Sequence, residues 1–472
     1  MKRHVLSLDL GSSSGRAILG SFDGERLEAK EVGRFYHQPR ELREGLCWDM
    51  TALRAGVESA IGEAEKIAGS IDAIGIDTWG VDYVVLDGRG EPVLPARTYR
   101  NARVERFYRE FEAAVPPEVA WAATGIPNQT INTSAQLFAD LRGEDAACFD
   151  AAAHVLLLPD YFAYLLTGEL GWSAAIASTT GLAAPGARGW SEEMLGRVGA
   201  KAAWFGDISP ERSVVGTCRR TGAKVIRSGT HDTAAAVHSL GSVADGDLYI
   251  SCGSWTLTGT LVDEPVLDAD AHLAGLTNEV RVDGGIRLLS NGTGLWIMQQ
   301  AMEQWRQASP ELDVEQVTAE AAAAPSAGWV FDLNEPSYAA PGQMADRVAQ
   351  AAARDGVTLR GRGQVARTIL ESIAVAQARA MRAVSPYASS SARVLMVGGG
   401  VHNSLLCQLI ADACRREVET HSAEGSALGS LIAQLQTLGD LAAGDAPTIE
   451  TNLEHVRTYH PVQSARTDYL EE

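Results

Sequence analysis

One recurrence constrains this chain more than any other feature. Residues 5–10, Val-Leu-Ser-Leu-Asp-Leu, alternate with a period near two. They run into Gly11-Ser12-Ser13-Ser14-Gly15, and residues 16–20 resume an apolar strand. The same succession returns near the middle of the chain: a strand at 248–251, the small-residue turn Cys252-Gly253-Ser254, and a strand at 255–261. One such hairpin says little, because Gly and Ser are ordinary at tight turns. Two of them, each opening one half of the chain, indicate a duplicated α/β unit. Length agrees: a single hydrophobic core seldom grows past roughly 250–300 residues, and this chain has 472. Two domains are expected, at 1–239 and 240–472.

Periodicity places the remaining elements. A helix is expected over 50–68, a buried strand over 71–77 and another strand over 83–86. Residues 101–120 read as one helix. A short strand at 156–158 leads into a helix stopped by Gly168. Val225-Ile226 hand over to Gly229-Thr230-His231-Asp232, and 233–240 is helical. In the second half, helices are expected at 293–307, 365–383, 405–414 and 427–438. A buried strand at 393–397 ends on Gly398-Gly399-Gly400. From residue 439 onward the chain is looser and polar.

Charge narrows the chemistry open to such a fold. The formal net charge of -20 argues against nucleic acid or an anionic membrane as the main partner. It also constrains any binding of phosphate, which must then rely on a metal ion, backbone N–H groups or a few Arg side chains. Only five of the 40 basic residues are Lys. The six cysteines are scattered without a CxxC pair, as reduced thiols would be rather than a disulfide frame or a zinc site. No apolar run reaches the ~20 residues of a membrane helix, and the N-terminus lacks the pattern of a signal peptide. The expected compartment is the cytoplasm.

Several segments carry possible chemistry. No Gly-Lys pair exists, which excludes a Walker-type phosphate loop. The nominal dinucleotide match Gly361-Arg362-Gly363-Gln364-Val365-Ala366 follows no strand and reads as a helix start. Residues 9–16 are more promising: small residues let backbone N–H groups approach an anion, Arg16 offsets its charge, and Asp9 suits Mg²⁺ directly or through water. Taken alone the segment is equally a plain hairpin; its echo at 251–254 tips the balance. Asp232 stands where a strand hands over to a helix, as a proton acceptor for phosphoryl transfer to an alcohol would. Taken singly it is more simply a helix N-cap, and His231 an ordinary loop histidine. The turn Ile76-Asp77-Thr78-Trp79-Gly80-Val81-Asp82 brings an indole and two carboxylates together, as a sugar site or as a core Trp in a polar hairpin. The Gly398–Gly400 triplet admits a flat ligand or is only a tight turn.

In this order the pieces resemble the FGGY carbohydrate kinases, of the actin-like ATPase-domain superfamily. Leu158-Pro159-Asp160-Tyr161-Phe162, His231-Asp232-Thr233, Thr277-Asn278-Glu279, Asn291-Gly292-Thr293-Gly294-Leu295-Trp296 and Gly398-Gly399-Gly400-Val401-His402-Asn403 join the 75–82 turn in carrying the likeness. It runs from about residue 5 to about residue 440, a length fitting a duplicated unit. The nearest branch acts on L-rhamnulose.

The resemblance implies an α/β fold of two duplicated actin-like ATPase (ribonuclease H-like) domains with a cleft between them. It implies ATP-dependent phosphorylation of L-rhamnulose at O1, with Asp232 as catalytic base. Ser12, Ser13, Ser14, Gly15, Arg16, Ser254, Gln299 and Gly400 match ATP contacts. Gly80, His231, Asp232, Thr233 and Asn291 match sugar contacts. Asp9 is the expected site of Mg²⁺, bound with ATP and reached through water. The first domain would then carry the sugar site, first phosphate loop and base, and the second domain the second phosphate loop and adenine site. Sugar and ATP are the expected partners of a monomer or homodimer, with neither nucleic acid nor membrane. Two departures stand out: Ser254 replaces a more usual Thr, and residues 331–344 follow the family's Asp/Pro-rich loop only loosely. Other readings are a kinase for L-fuculose, L-ribulose or D-xylulose, or a non-catalytic sugar or nucleotide sensor on the same scaffold.

Overall fold

In a computed structural model, residues 2–241, 246–389, 392–445, 447–450 and 456–462 are described. The chain forms two compact units. The first takes the described residues of Met1–Val243, Val262–Leu288 and Gly425–Asn452; the second takes those of Ala244–Leu261, Leu289–Glu424 and Leu453–Glu472. Each unit is therefore discontinuous in sequence: the chain returns to the first unit twice after residue 240.

The first unit is organised by a seven-stranded sheet. Its order is Ser213–Thr217, Lys224–Arg227, Ala73–Thr78, Arg3–Leu10, Ser14–Phe22, Arg26–Tyr36 and Thr448–Glu450. The first strand, Arg3–Leu10, pairs antiparallel with Ser14–Phe22 and parallel with Ala73–Thr78. Residues 5–10 and 73–78 are buried throughout. The polar residues they carry, Ser7, Asp9, Asp77 and Thr78, are therefore buried together with the apolar ones. The helix Met50–Ala68 starts where Asp49 caps it, accepting from the Ala52 N–H at 3.0 Å, and ends at Gly69 with φ 76°. The helix Gly425–Leu438 also belongs to this unit, and Gln434 Nε2 donates to the Leu6 carbonyl at 3.1 Å.

The second unit repeats the motif. Leu248–Cys252 pairs antiparallel with Trp255–Val262 and parallel with Val394–Val397, followed by Val418–Thr420 and Arg457–Tyr459. Both units thus set a hairpin's first strand beside a parallel neighbour. The long helix Gly361–Val384 contributes a nearly continuous buried face.

Two expected elements differ. Residues 101–120 form two helices, Arg103–Ala114 and Pro117–Thr124, rather than one. Pro116 and Pro117 cause the break: Pro disfavours helical backbone in the residue before it, here Val115 at φ -126°, ψ 80°, and Pro117 suits the start of the next helix. The helix expected at 293–307 begins only at Trp296, because the strand Ile286–Thr293 runs on and residues 294–296 donate backbone N–H bonds to Gly253 and Ser254. The segment opening at Gly361 starts a helix after a loop, so it lacks the strand that a dinucleotide fingerprint needs.

Candidate functional site

Three chain segments end together in the first unit. Asp9 lies near the end of Arg3–Leu10, and its Cα partners are Arg16 on the antiparallel side and Asp77 on the parallel side. One residue beyond Asp77, Thr78 bridges to His231, its N–H donating to the Thr230 carbonyl at 3.1 Å. Asp9, Asp77 and the 230–232 loop therefore gather at the carboxyl ends of parallel strands, where open α/β sheets bind ligands.

The electrostatics of this rim are unusual. Asp9 is 3% and Asp77 0% exposed. Arg16 Nη2 lies 3.4 Å from Asp9 Oδ2. Neither oxygen of Asp77 has a hydrogen-bond donor among the described residues. Burial pushes the Asp77 carboxyl well above the usual carboxylate range; the charges of Asp9 and Asp232 add to the rise and Arg16 opposes it. Buried carboxylate oxygens without protein donors suit a hard cation. Among the described residues no group of three His, Cys, Asp or Glu is arranged to hold a metal by itself. The Asp9 and Asp77 pair is the donor set that Mg²⁺ would need, since that ion takes one or two carboxylates and completes its shell with water and phosphate oxygens.

The first hairpin turn is built for close approach. Gly11 N–H donates to the Ser14 carbonyl at 2.9 Å, and His37 Nε2 bonds the Gly11 carbonyl at 2.8 Å. A Cβ at Gly15 would overlap the Phe35 ring, so a side chain there would have to push that ring aside.

Asp232 is the first residue of the short helix Asp232–His238, and His231 occupies the cap position. The N-cap reading of Asp232 is thereby displaced. Its Oδ1 accepts from the Thr233 N–H at 2.6 Å and hydroxyl at 3.1 Å, and His231 Nε2 lies 3.3 Å away. Oδ2 accepts no hydrogen bond within the described residues, and the side chain is 30% exposed. Burial raises the Asp232 carboxyl; His231 opposes the rise, Asp9 adds to it, and the Thr233 hydrogen bonds lower it.

The loop before Asp232 is anchored by Glu211, which the sequence reading did not single out. Glu211 Oε2 accepts from the N–H groups of Gly229 and Thr230 at 2.9 and 3.2 Å. Its Oε1 accepts from Thr230 Oγ1 at 2.8 Å and from the Ala175 N–H at 3.0 Å. Gly229, at φ 93°, has no room for a side chain against Ala235.

Behind His231 lies Glu279, which stood in the Thr277-Asn278-Glu279 motif without a role. Glu279 Oε2 stands 3.1 Å from His231 Nδ1 and accepts from Arg287 Nη2 at 2.8 Å. Burial alone would raise the Glu279 carboxyl, but Arg287 and His231 outweigh it and hold it at about 2.

Gly80 sits in a pinned turn. Val81 has φ 68°, a strained value for a β-branched residue. Its N–H donates to Thr179 Oγ1 at 3.2 Å, and its carbonyl accepts from Thr133 Oγ1 at 2.6 Å. Beside it, Asp82 accepts from the indoles of Trp48 and Trp79 at 2.6 and 2.9 Å. Burial lifts the Asp82 carboxyl to about 6, despite the indole donors. His37 packs against both indoles.

In the second unit the structure brings Ser254, Gln299 and the Gly398–Gly400 triplet to one hairpin. Ser254 Oγ donates to Gln299 Oε1 at 2.9 Å. A Cβ at Gly400 would stand 2.5 Å from the Cys252 sulfur, so bare backbone packs against the hairpin strand. Asn291, on Ile286–Thr293, has a buried Oδ1 without a partner among the described residues.

Comparison with known proteins gives a consistent picture. Residues 4–238 match the model of the N-terminal domain of the FGGY family of carbohydrate kinases, and residues 248–438 match its C-terminal domain. Rhamnulokinases of two Klebsiella pneumoniae strains are 34% identical over 451 residues, covering 94% of this chain and 91% of theirs. Among solved structures, a gluconate kinase from Lactobacillus acidophilus superposes with a TM-score of 0.78 at 16% identity, covering 99% of this chain and 96% of its own. A xylulose kinase from Rhodospirillum rubrum superposes at 0.77 and 21% identity, with the same coverage of 99% and 96%. At such identities the structures speak for the fold: a two-domain sugar-kinase fold of mixed α/β sheets, of the actin-like ATPase type.

Proposed function

Because the chain belongs to the FGGY family of carbohydrate kinases, we propose that it transfers the γ-phosphate of ATP to O1 of L-rhamnulose in L-rhamnose catabolism. The products are L-rhamnulose 1-phosphate and ADP. The sugar assignment is supported by the 34% identity to rhamnulokinases over 94% of the chain.

One observation carries the chemistry: Asp232 has one oxygen held by Thr233 and one oxygen open. A carboxylate so placed accepts a proton without swinging, since its orientation is set by the bonds on the other oxygen. In this reading Oδ2 takes the proton of the O1 hydroxyl. O1 then bonds to the γ-phosphorus, and the bond from that phosphorus to the β–γ bridging oxygen breaks, leaving its electrons on ADP. Gly80, His231, Thr233 and Asn291 contact the sugar. Ser12, Ser13, Ser14, Gly15 and Arg16 contact the phosphates as the first phosphate loop and Ser254 as the second, and Gln299 and Gly400 contact ATP in the second domain. Asp9, with Asp77 beside it, would hold Mg²⁺, which when bound offsets phosphate charge. The division 1–239 and 240–472 assigns the sugar site, first phosphate loop and base to the N-terminal domain. It assigns the second phosphate loop and adenine site to the C-terminal domain. A cytoplasmic monomer or homodimer belongs to the same reading.

A coupled ADP-release assay over L-rhamnulose, L-fuculose, L-ribulose and D-xylulose tests the assignment. L-Rhamnulose should give the highest kcat/KM. A higher value for another ketose would move the sugar assignment, and ATP binding without sugar-dependent ADP release would favour a sensor.

A further inference from the structure

We propose that Glu279, paired with Arg287, is a positioning residue: it holds the His231 imidazole against Asp232 and so fixes the oxygen that receives the sugar's proton. The inference rests on the reading of Asp232 as the base.

The backbone of this loop is already secured. Thr78 donates to the Thr230 carbonyl, and Glu211 accepts from Gly229 and Thr230. What remains free is rotation of the imidazole about its side-chain bonds. Glu279 removes that freedom. Its Oε2 accepts from Arg287 Nη2 at 2.8 Å, and that nitrogen, which can only donate, also bonds Nδ1 at 3.1 Å, so Nδ1 is the accepting nitrogen of the ring. The ring hydrogen is then on Nε2 and faces Asp232, with Nε2 3.3 Å from Oδ1. Together with the Thr233 N–H and hydroxyl, it completes the set of groups around Oδ1 and leaves Oδ2 as the open oxygen.

Stability does not explain the Glu279–Arg287 pair. Arg287 is 0% exposed, yet its Nε and Nη1 have no hydrogen-bond partner among the described residues. Only Nη2 is engaged, with Glu279 at 2.8 Å and near His231 Nδ1 at 3.1 Å. A buried guanidinium so poorly satisfied is a costly way to fill a core, and apolar residues of similar volume often do better. Its bonds lead to the one histidine that touches Asp232. Thr277 Oγ1, at 3.3 Å from Glu279 Oε1, steadies the other carboxylate oxygen.

The test uses the full-length protein carrying Glu279→Gln, with the double variant Glu279→Gln/Arg287→Met as a guard against misfolding from an unpaired buried charge. The first readout is the ring-nitrogen NMR spectrum of histidine-labelled protein, with the His231 signals assigned through His231→Asn. In wild type Nε2 should carry hydrogen and Nδ1 should accept, and both Glu279 variants should shift those signals. The second readout is steady-state kinetics with ATP and L-rhamnulose. Loss of an outer partner that orients a working imidazole should lower kcat on the order of 10–100-fold. KM for ATP should stay within about twofold, because in this reading His231 contacts the sugar, not the nucleotide. A folded Glu279→Gln or double variant with unchanged His231 ring signals and wild-type kcat overturns the proposal. Failure of the underlying reading looks different: Asp232→Asn would itself turn over normally, while the ring signals would still judge Glu279.

Discussion

Asp9 and Asp77 are directly paired across two parallel strands, both buried, and so present their carboxyl groups on the same face of the sheet. Like charges this close cannot both ionise cheaply in a buried site. Asp77 bears the consequence, with no donor on either oxygen.

Asp77→Asn should therefore stabilise the metal-free protein, increasingly so as pH rises. The folded-state pKa of Asp77 is raised above the unfolded value of about 3.9. Its stabilising contribution is thus complete below about pH 3.9 and is lost as the unfolded chain ionises, at about 1.4 kcal/mol per pH unit, until the folded pKa is reached. Asn does not titrate. Thermal melts in EDTA should show the variant's advantage widening as the pH rises above about 4; a constant gap would refute the charge argument.

Asp232→Asn should keep the fold and ATP binding but lose turnover. General-base catalysis is worth on the order of 10²–10⁴-fold, and the change should appear in kcat rather than in the ATP dissociation constant. Steady-state kinetics and calorimetric titration with ATP read the two separately.

Asp82 should report its own protonation through the indoles that donate to it. With a folded pKa of about 6, tryptophan fluorescence should titrate near pH 6, and Asp82→Asn should abolish that step. The sign for stability is the same as for Asp77. The group's contribution falls by up to about 3 kcal/mol between pH 4 and pH 6 and is flat above, so the variant's melting temperature should depend less on pH across that window.

Glu211→Ala should be more damaging than its distance from the chemistry suggests. It removes the acceptor for the N–H groups of Ala175, Gly229 and Thr230 and for the Thr230 hydroxyl. Each stranded buried donor costs about 1–3 kcal/mol. A fall in Tm of at least about 5 °C is expected, together with reduced kcat, because Asp232 hangs from this loop. Differential scanning calorimetry and the ADP assay check both.

Much of the fold was legible because its signals are local. The helix Met50–Ala68 follows from a 3.6-residue apolar period between an Asp cap and a Gly stop, all within one stretch of chain. Both hairpins follow from small residues between apolar strands, and Gly400 from a run of glycines after a buried strand. The misread helix at 101–120 failed on a local rule as well, since the Pro116-Pro117 pair was visible. Glu211, Glu279 and Arg287 were not legible as site residues. Only Glu279 stood in a quoted motif, without a role, and the partners of all three in the 229–231 loop lie 18 to 56 residues away.

The sequence by itself determined the duplicated α/β plan, the absence of a Walker loop and the candidate residues Asp9, Asp232, Ser254 and Gly400. Each of these depends on residue type and short-range spacing. Tertiary structure alone decided which buried charges stand together. Strand register set Asp77 beside Asp9, and the return of Val262–Leu288 to the first unit brought Glu279 and Arg287 against His231. Register and chain return are settled by the packing of distant apolar faces, so the charges they juxtapose leave no trace in any local stretch of sequence.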